Sequence, residues 1–213
     1  MLMNTIRFVF VLFCAALFVS CDEGETIELS GNYFPLQENA LWEYTRKVSS
    51  LDKVTPGWTD TVSNRIKGDT LIESLLYKKV VDKYDNLVKV VRKEGSKYFG
   101  RNHELYGGFS KEYLFLDDNV DFNSGWKHFK NDSTTVTEYR VIAVNSTETL
   151  NGVYYHDLMK MEVSYYYLSG KEFVLSYSTL HYYAKGIGEV YTSYPYPSYV
   201  YGDMDIFLLK YIP

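Results

Sequence analysis

The stretch VYYHDLMKMEVSYYY, Val153–Tyr167, decides the fold. Val153, Tyr155, Met159, Met161, Val163, Tyr165 and Tyr167 fall on one parity, with His156, Lys160, Glu162 and Ser164 on the other. A period of two is the pattern of a half-buried antiparallel strand. Asp157 and Leu158 interrupt it. Immediately upstream, Thr137–Val144 repeats the pattern, with Tyr139, Val141 and Ala143 opposed to Glu138 and Arg140. Asn151-Gly152 lies between the two runs, and both residue types tolerate the positive φ angles of a two-residue hairpin turn. Gly68-Asp69, Asp85-Asn86, Glu94-Gly95 and Ser169-Gly170 mark further turns. The spacing predicts an all-β chain, a single antiparallel meander curving into an open barrel or sandwich with little helix. Leu71–Tyr77 is the one segment that reads as a turn or two of helix. Asp69-Thr70-Leu71 leading to Tyr77 is echoed by Glu148-Thr149-Leu150 leading to Tyr155, two copies too divergent to define a repeat.

The N-terminus is of a different kind. Arg7 is its only charge, and an apolar run from Phe8 to Val19 follows, of signal-peptide length and too short for a membrane-spanning helix. Leu17-Phe18-Val19-Ser20-Cys21 resembles a lipobox, with small Ser20 before the cysteine and Phe18 in place of the usual leucine. The resemblance implies that Cys21 is lipid-modified and becomes the first mature residue, and that the protein is anchored to the outer membrane. Several acyl chains hold where one binds only marginally. Asp22-Glu23-Gly24-Glu25 resembles the export signal of surface-displayed lipoproteins, with a solvated linker as the alternative. Residues 1–20 thus read as signal peptide, 21–32 as an acidic tether and 33–213 as a single β domain.

The full chain carries a formal charge of −5, and loss of Arg7 makes it more negative. An acidic chain without clustered Lys and Arg argues against nucleic-acid binding. Of the 2 cysteines, Cys14 leaves with the signal and Cys21 is committed to lipid, so the domain stands without a disulfide. Its 22 tyrosines supply much of the core, since a tyrosine ring packs inward while its hydroxyl stays wet.

Three further stretches resemble a broad group of secreted bacterial lipoproteins whose domain opens FPLxxGxxWxY and closes near YAxGxG. They are Phe34-Pro35-Leu36-Gln37-Glu38-Asn39-Ala40-Leu41-Trp42-Glu43-Tyr44, Tyr183-Ala184-Lys185-Gly186-Ile187-Gly188, and, between them, Tyr113–Asp117 followed by Gly125-Trp126. Asn39 replaces the group's glycine and is the next-best residue for a left-handed turn. The resemblance implies fold and location, and carries no catalytic residues. Physically these motifs read as core: Trp42 and Tyr44 face one side of the first strand, and Gly186 and Gly188 allow a sharp bend or a close approach.

Signatures of chemistry are sparse. His103, His128, His156 and His181 lack metal-ligand spacing, so neither a metal nor a cofactor is expected. Asp117–Asn123 alternates oxygen donors as calcium loops do, but Phe122 stands where glycine is required, and a solvated turn is the better reading. Glu162, Glu172 and Glu189 are the carboxylates that a hydrolase would have to bring together. No nucleophile elbow or phosphate loop is present, so the chain does not read as an enzyme. Tyr191–Gly202, with prolines at 195 and 197, reads as a partly extended loop before a final strand at Ile206–Tyr211. Its Tyr194, Tyr196 and Tyr199 are the candidate binding residues, flat and amphipathic, suited to a glycan or an envelope protein, with rings folded back over the sheet edge as the alternative. The expected function is a membrane-anchored, non-catalytic binding or assembly module. The alternative is an anchored lipid-handling protein with an apolar cavity.

Overall fold

The computed structural model describes residues 31–50, 56–104, 107–130, 134–195 and 201–213, and no helix occurs among them. Cys21, the tether to Ser30, Tyr196 and Tyr199 lie outside these residues. Twelve strands follow in chain order: β1 Leu41–Ser50, β2 Trp58–Ile72, β3 Leu75–Asp82, β4 Leu87–Glu94, β5 Lys97–Asn102, β6 Tyr113–Asp117, β7 Gly125–Phe129, β8 Thr135–Leu150, β9 Val153–Ser169, β10 Glu172–Ala184, β11 Gly188–Pro195 and β12 Tyr201–Ile212.

All twelve form one antiparallel sheet in the order β6-β5-β4-β3-β2-β1-β12-β11-β10-β9-β8-β7. The first and last strands pair along their length, from Leu41 opposite Ile212 to Ser50 opposite Tyr201. The ring therefore closes where a meander usually stays open, and its seam lies mid-chain between β6 and β7. Trp126 of β7 spans the seam by donating its indole N–H to the Leu114 carbonyl of β6 at 2.8 Å. Gly125 precedes it because a Cβ there would stand 2.6 Å from the Tyr139 carbonyl oxygen of β8. The result is a nearly closed barrel rather than a sandwich.

The central stretch keeps its alternation with one reset. Tyr155, Met159, Met161 and Val163 are buried, whereas Val153 and Tyr167, at the strand ends, are exposed. Asp157 takes φ 52°, and the β8–β9 ladder slips between Ser146 and Glu148. The two residues that broke the pattern thus mark a bulge, which lets Leu158 be buried beside Met159. Asn151 and Gly152 take φ 50° and 84°, the two-residue turn expected of them, and Asn39 takes φ 67°.

Three local expectations are corrected. Leu71–Tyr77 is not helical: Ile72 ends β2, Leu75 begins β3, and Glu73-Ser74 turn between them at φ 52° and 67°. This hairpin and the Asn151-Gly152 hairpin carry the two echoing segments. Gly68-Asp69 is no turn but a bulge inside β2, where the ladder to β3 slips between Ile66 and Asp69. Tyr191–Pro195 is not a loop but part of β11, paired with β12 from Tyr191 opposite Phe207 to Pro195 opposite Asp203. Proline is tolerated because it ends the strand, where one missing donor interrupts nothing. The last strand accordingly starts at Tyr201, not Ile206.

Alternation of strand direction gives the barrel two ends. One gathers the entry to β1, the exit from β12 and the β2–β3, β4–β5, β6–β7, β8–β9 and β10–β11 connections; this is the tether end. Here the opening and closing motifs clasp. Trp42 stacks on Phe34 at 5.5 Å and on Tyr211 at 5.6 Å, and donates its indole N–H to the Ile187 carbonyl at 2.5 Å. Gly188, at φ 106°, leaves room for that ring, since a Cβ would approach the indole nitrogen to 3.0 Å. The Gly186 N–H donates to the Asn32 carbonyl at 2.8 Å. The calcium-like loop serves the same end: Asp118 accepts from the Tyr33 N–H, the Lys93 ammonium and the Tyr98 hydroxyl, which ties the entry segment to β4 and β5.

Candidate functional site: the tyrosine-lined mouth and lumen

The opposite end opens as a mouth. A cavity of about 490 Å³ lies between the β5–β6 connection and the ends of β7 and β8, with Tyr113, Tyr139, Tyr165, Thr137 and His128 in its wall. Strand parity brings these side chains together, because Tyr139 opposes Val163 and Thr137 opposes Tyr165 across the β8–β9 ladder. Trp126 stacks on Tyr139 at 5.3 Å and holds the ring against the wall. Tyr113 donates its hydroxyl to Asn102 at 2.8 Å. Among the described residues, the one buried side-chain polar atom without a partner is the Tyr211 hydroxyl. The Tyr139 and Tyr183 rings are buried, and their hydroxyls make no hydrogen bond among the described residues, so both open onto space inside the barrel.

Burial dominates the electrostatics of this lining. It pushes the Tyr113 and Tyr165 hydroxyls up to about 12 and raises those of Tyr139, Tyr183 and Tyr194 as well. All five are therefore neutral donor-acceptors over the physiological range. Burial, with Lys111 and Lys130 nearby, holds His128 below the usual imidazole range. Lys89 of β4 places its ammonium over the rings of Phe115 at 5.1 Å and Phe34 at 5.5 Å, and burial pushes it down from the usual lysine range.

Deeper in, three residues form a relay that the sequence did not announce. His181 Nδ1 meets Glu189 Oε1 at 2.6 Å, and its Nε2 meets the Thr179 hydroxyl at 2.8 Å. Thr179, His181 and Tyr183 share the inward face of β10 by simple alternation. Glu189 joins them because the β10–β11 ladder slips after Tyr182, which sets Glu189 opposite Tyr183. Burial works to raise the Glu189 carboxyl, but the bond to His181, the Lys89 charge and the Thr192 hydroxyl together outweigh it and keep the carboxyl below the ordinary carboxylate range. The distances are those of an acyl-transfer triad, but the surroundings are not. Thr179 is 1% exposed, lies in mid-strand and also reaches the Val163 carbonyl at 3.4 Å. Its neighbours' backbone N–H groups belong to the ladders with β9 and β11. The two contacts hold the His181 ring between Glu189 and Thr179 inside the barrel.

The residues singled out in the sequence are dispersed. Tyr194 is not on a loop: it turns into the lumen, edge-on to His181 at 6.1 Å. Tyr196 and Tyr199 lie outside the described residues. Glu162 pairs with Arg140 on the outer face, Glu172 is exposed beside the β9–β10 turn, and only Glu189 points inward. The three carboxylates therefore form no hydrolytic pair. His156 is solvated, 2.9 Å from Asp157, and His103 packs on Phe109. Among the described residues, no three His, Cys, Asp or Glu side chains are grouped to hold a metal ion.

No protein-family model matches the sequence, and no curated protein matches it. Two solved structures resemble the chain in outline. One, from Bacteroides fragilis, is described as an exported protein with a YmcC-like fold; it is 10% identical, with 86% of this chain and 100% of that one covered and a TM-score of 0.47. The other, from Parabacteroides distasonis, is described as a lipoprotein; it is 12% identical, with 85% and 99% covered and a TM-score of 0.41. Likeness at this level is one of general shape, and the functional reading rests on the chain's own residues.

Proposed function

We propose that the protein is an envelope-anchored, non-catalytic binding module whose mouth, at the end away from the tether, takes a neutral, hydroxyl-rich ligand of the glycan class. One observation carries this reading: three tyrosine rings, Tyr113, Tyr139 and Tyr165, face a cavity of about 490 Å³, and the Tyr139 hydroxyl has no partner among the described residues. That volume falls within the usual range of small-ligand sites. Sugars offer apolar ring faces flanked by hydroxyls, the complement of a tyrosine wall, and a stacked ring contributes on the order of 1 kcal/mol. An acyl chain in the lumen would instead strip water from the Tyr139 and Tyr183 hydroxyls and the Glu189 carboxylate without replacing it. For that reason the glycan reading ranks above the lipid-handling one. With Cys21 lipidated, the mouth would point away from the bilayer.

The reading is tested by titrating a panel of neutral and acidic oligosaccharides against wild type, Tyr139→Phe and Tyr165→Phe by calorimetry. The expected outcome is saturable binding that weakens at least several-fold in both variants while their melting temperatures stay near wild type. Absence of binding across the panel, or binding indifferent to both changes, contradicts it.

A further inference from the structure

The tether end carries apolar side chains that its packing does not use. Leu71 at the β2–β3 tip is 70% exposed, Phe122 in the β6–β7 connection 68%, Tyr154 at the β8–β9 tip 66% and Leu209 near the end of β12 58%. Leu76 and Ile212 extend the set. The hairpin tips of a soluble barrel are normally polar, and a contiguous apolar rim marks a surface that something covers. The mouth end also has exposed apolar residues, among them Leu168, Phe173 and Leu175, but most of them sit on the single β9–β10 hairpin. At the tether end they come from three separate connections and the final strand, distributed around the barrel. A wing on one hairpin suits a local partner; a ring around one end suits a plane.

An apolar groove of about 850 Å³ runs through this end, between Pro35, Leu36, Ile187, Leu208 and Tyr211, with Gly31 at its edge. Gly31 is also where the chain from Cys21 enters, and that segment spans at most about 35 Å when extended. An anchor at Cys21 thus holds this end within reach of the membrane. We infer that the tether-end rim seats directly on the lipid leaflet that holds the Cys21 acyl chains, with Leu76, Tyr154 and their neighbours entering the interfacial region. The proposal rests on lipidation of Cys21. Seating would add an apolar contact to acyl insertion, and would fix the mouth outward instead of leaving the barrel free to tumble.

The test uses the full chain, processed and purified with its lipid, in vesicles of phosphatidylethanolamine and phosphatidylglycerol. With Cys14 removed and Cys21 blocked by lipid, a single introduced cysteine is the only free thiol. Environment-sensitive probes are placed by Leu76→Cys, Tyr154→Cys and, at the opposite end, Tyr84→Cys, and quenched with lipids labelled in the acyl chain. The expected result is several-fold stronger quenching at positions 76 and 154 than at 84. Equal, weak quenching at all three in protein that floats with the vesicles overturns the seating alone. Failure of the wild-type protein to float overturns the anchoring beneath it.

Discussion

Trp42 and Tyr139 are both large aromatic residues buried on inward strand faces, at opposite ends of one barrel. Trp42 has its single polar atom bound to Ile187, rings stacked on both faces and a glycine shaped to its edge. Tyr139 is stacked on one side only, and its hydroxyl opens onto the cavity. Around Trp42 the tether end is packed by mutual contact, with its own apolar groove running alongside, whereas around Tyr139 the mouth keeps space that its side chains do not fill. Burial alone does not separate a residue that holds the fold from one that lines a site. Between these two the difference is that the Trp42 indole N–H has a partner and the Tyr139 hydroxyl has none among the described residues.

The comparison predicts a gradient of mutational cost. Trp42→Ala removes the centre of the clasp and should destabilise the protein by about 4 kcal/mol, the usual range for a large aromatic lost from a core. Gly188→Ala should also be destabilising, because the residue sits at φ 106° and a Cβ meets the indole. Chemical denaturation of both variants checks this, and a loss below about 1 kcal/mol in Trp42→Ala would break the comparison on its strongest side.

Glu189→Gln should cost about 2 kcal/mol, by removing the charged partner of the His181 hydrogen bond. Its pH dependence is specific. The folded carboxyl is held below its ordinary value, so its contribution is present above about pH 4.5 and is lost as pH falls through the folded value. The stability difference between wild type and Glu189→Gln should therefore shrink toward acid. At the other extreme, the hydroxyls of Tyr113 and Tyr165 are raised to about 12. A raised folded pKa gives stability that is complete below about pH 10 and lost as pH climbs through 12. Tyrosinate absorbance of these two residues should appear only near 12, or together with unfolding. The smallest expected effect is Tyr139→Phe, within about 0.5 kcal/mol of wild type, because no intramolecular hydrogen bond is removed.

Much of the fold was legible because β-structure writes itself in parity. The run from Val153 to Tyr167 gave its strand, and the interruption at Asp157-Leu158 was itself the trace of a bulge. Asn39, Asn151 and Gly152 gave turns that their φ angles bear out. What parity could not show was where it resets. The slip beside Tyr183 turns Glu189 toward His181, and nothing in the spacing of those residues signals it. Glu73-Ser74 forms a left-handed turn from residue types that do not advertise one, so the flanking leucines read as helix. Pro195 and Pro197 make the segment around Tyr194 read as a loop; Pro195 instead ends the strand, and its neighbour points inward. Closure by β1 with β12 joins residues too far apart in sequence for local pattern to pair.

The account turns on the mouth being the binding end. Tyrosine-selective isotope labelling, with ring resonances followed during titration of the oligosaccharide panel, tests it most directly. The account predicts that Tyr113, Tyr139 and Tyr165 shift together and saturate at one ligand concentration, while Tyr155 and Tyr211 at the tether end stay fixed. Shifts confined to Tyr155 and Tyr211, or none at the three mouth tyrosines with any sugar of the panel, would contradict it.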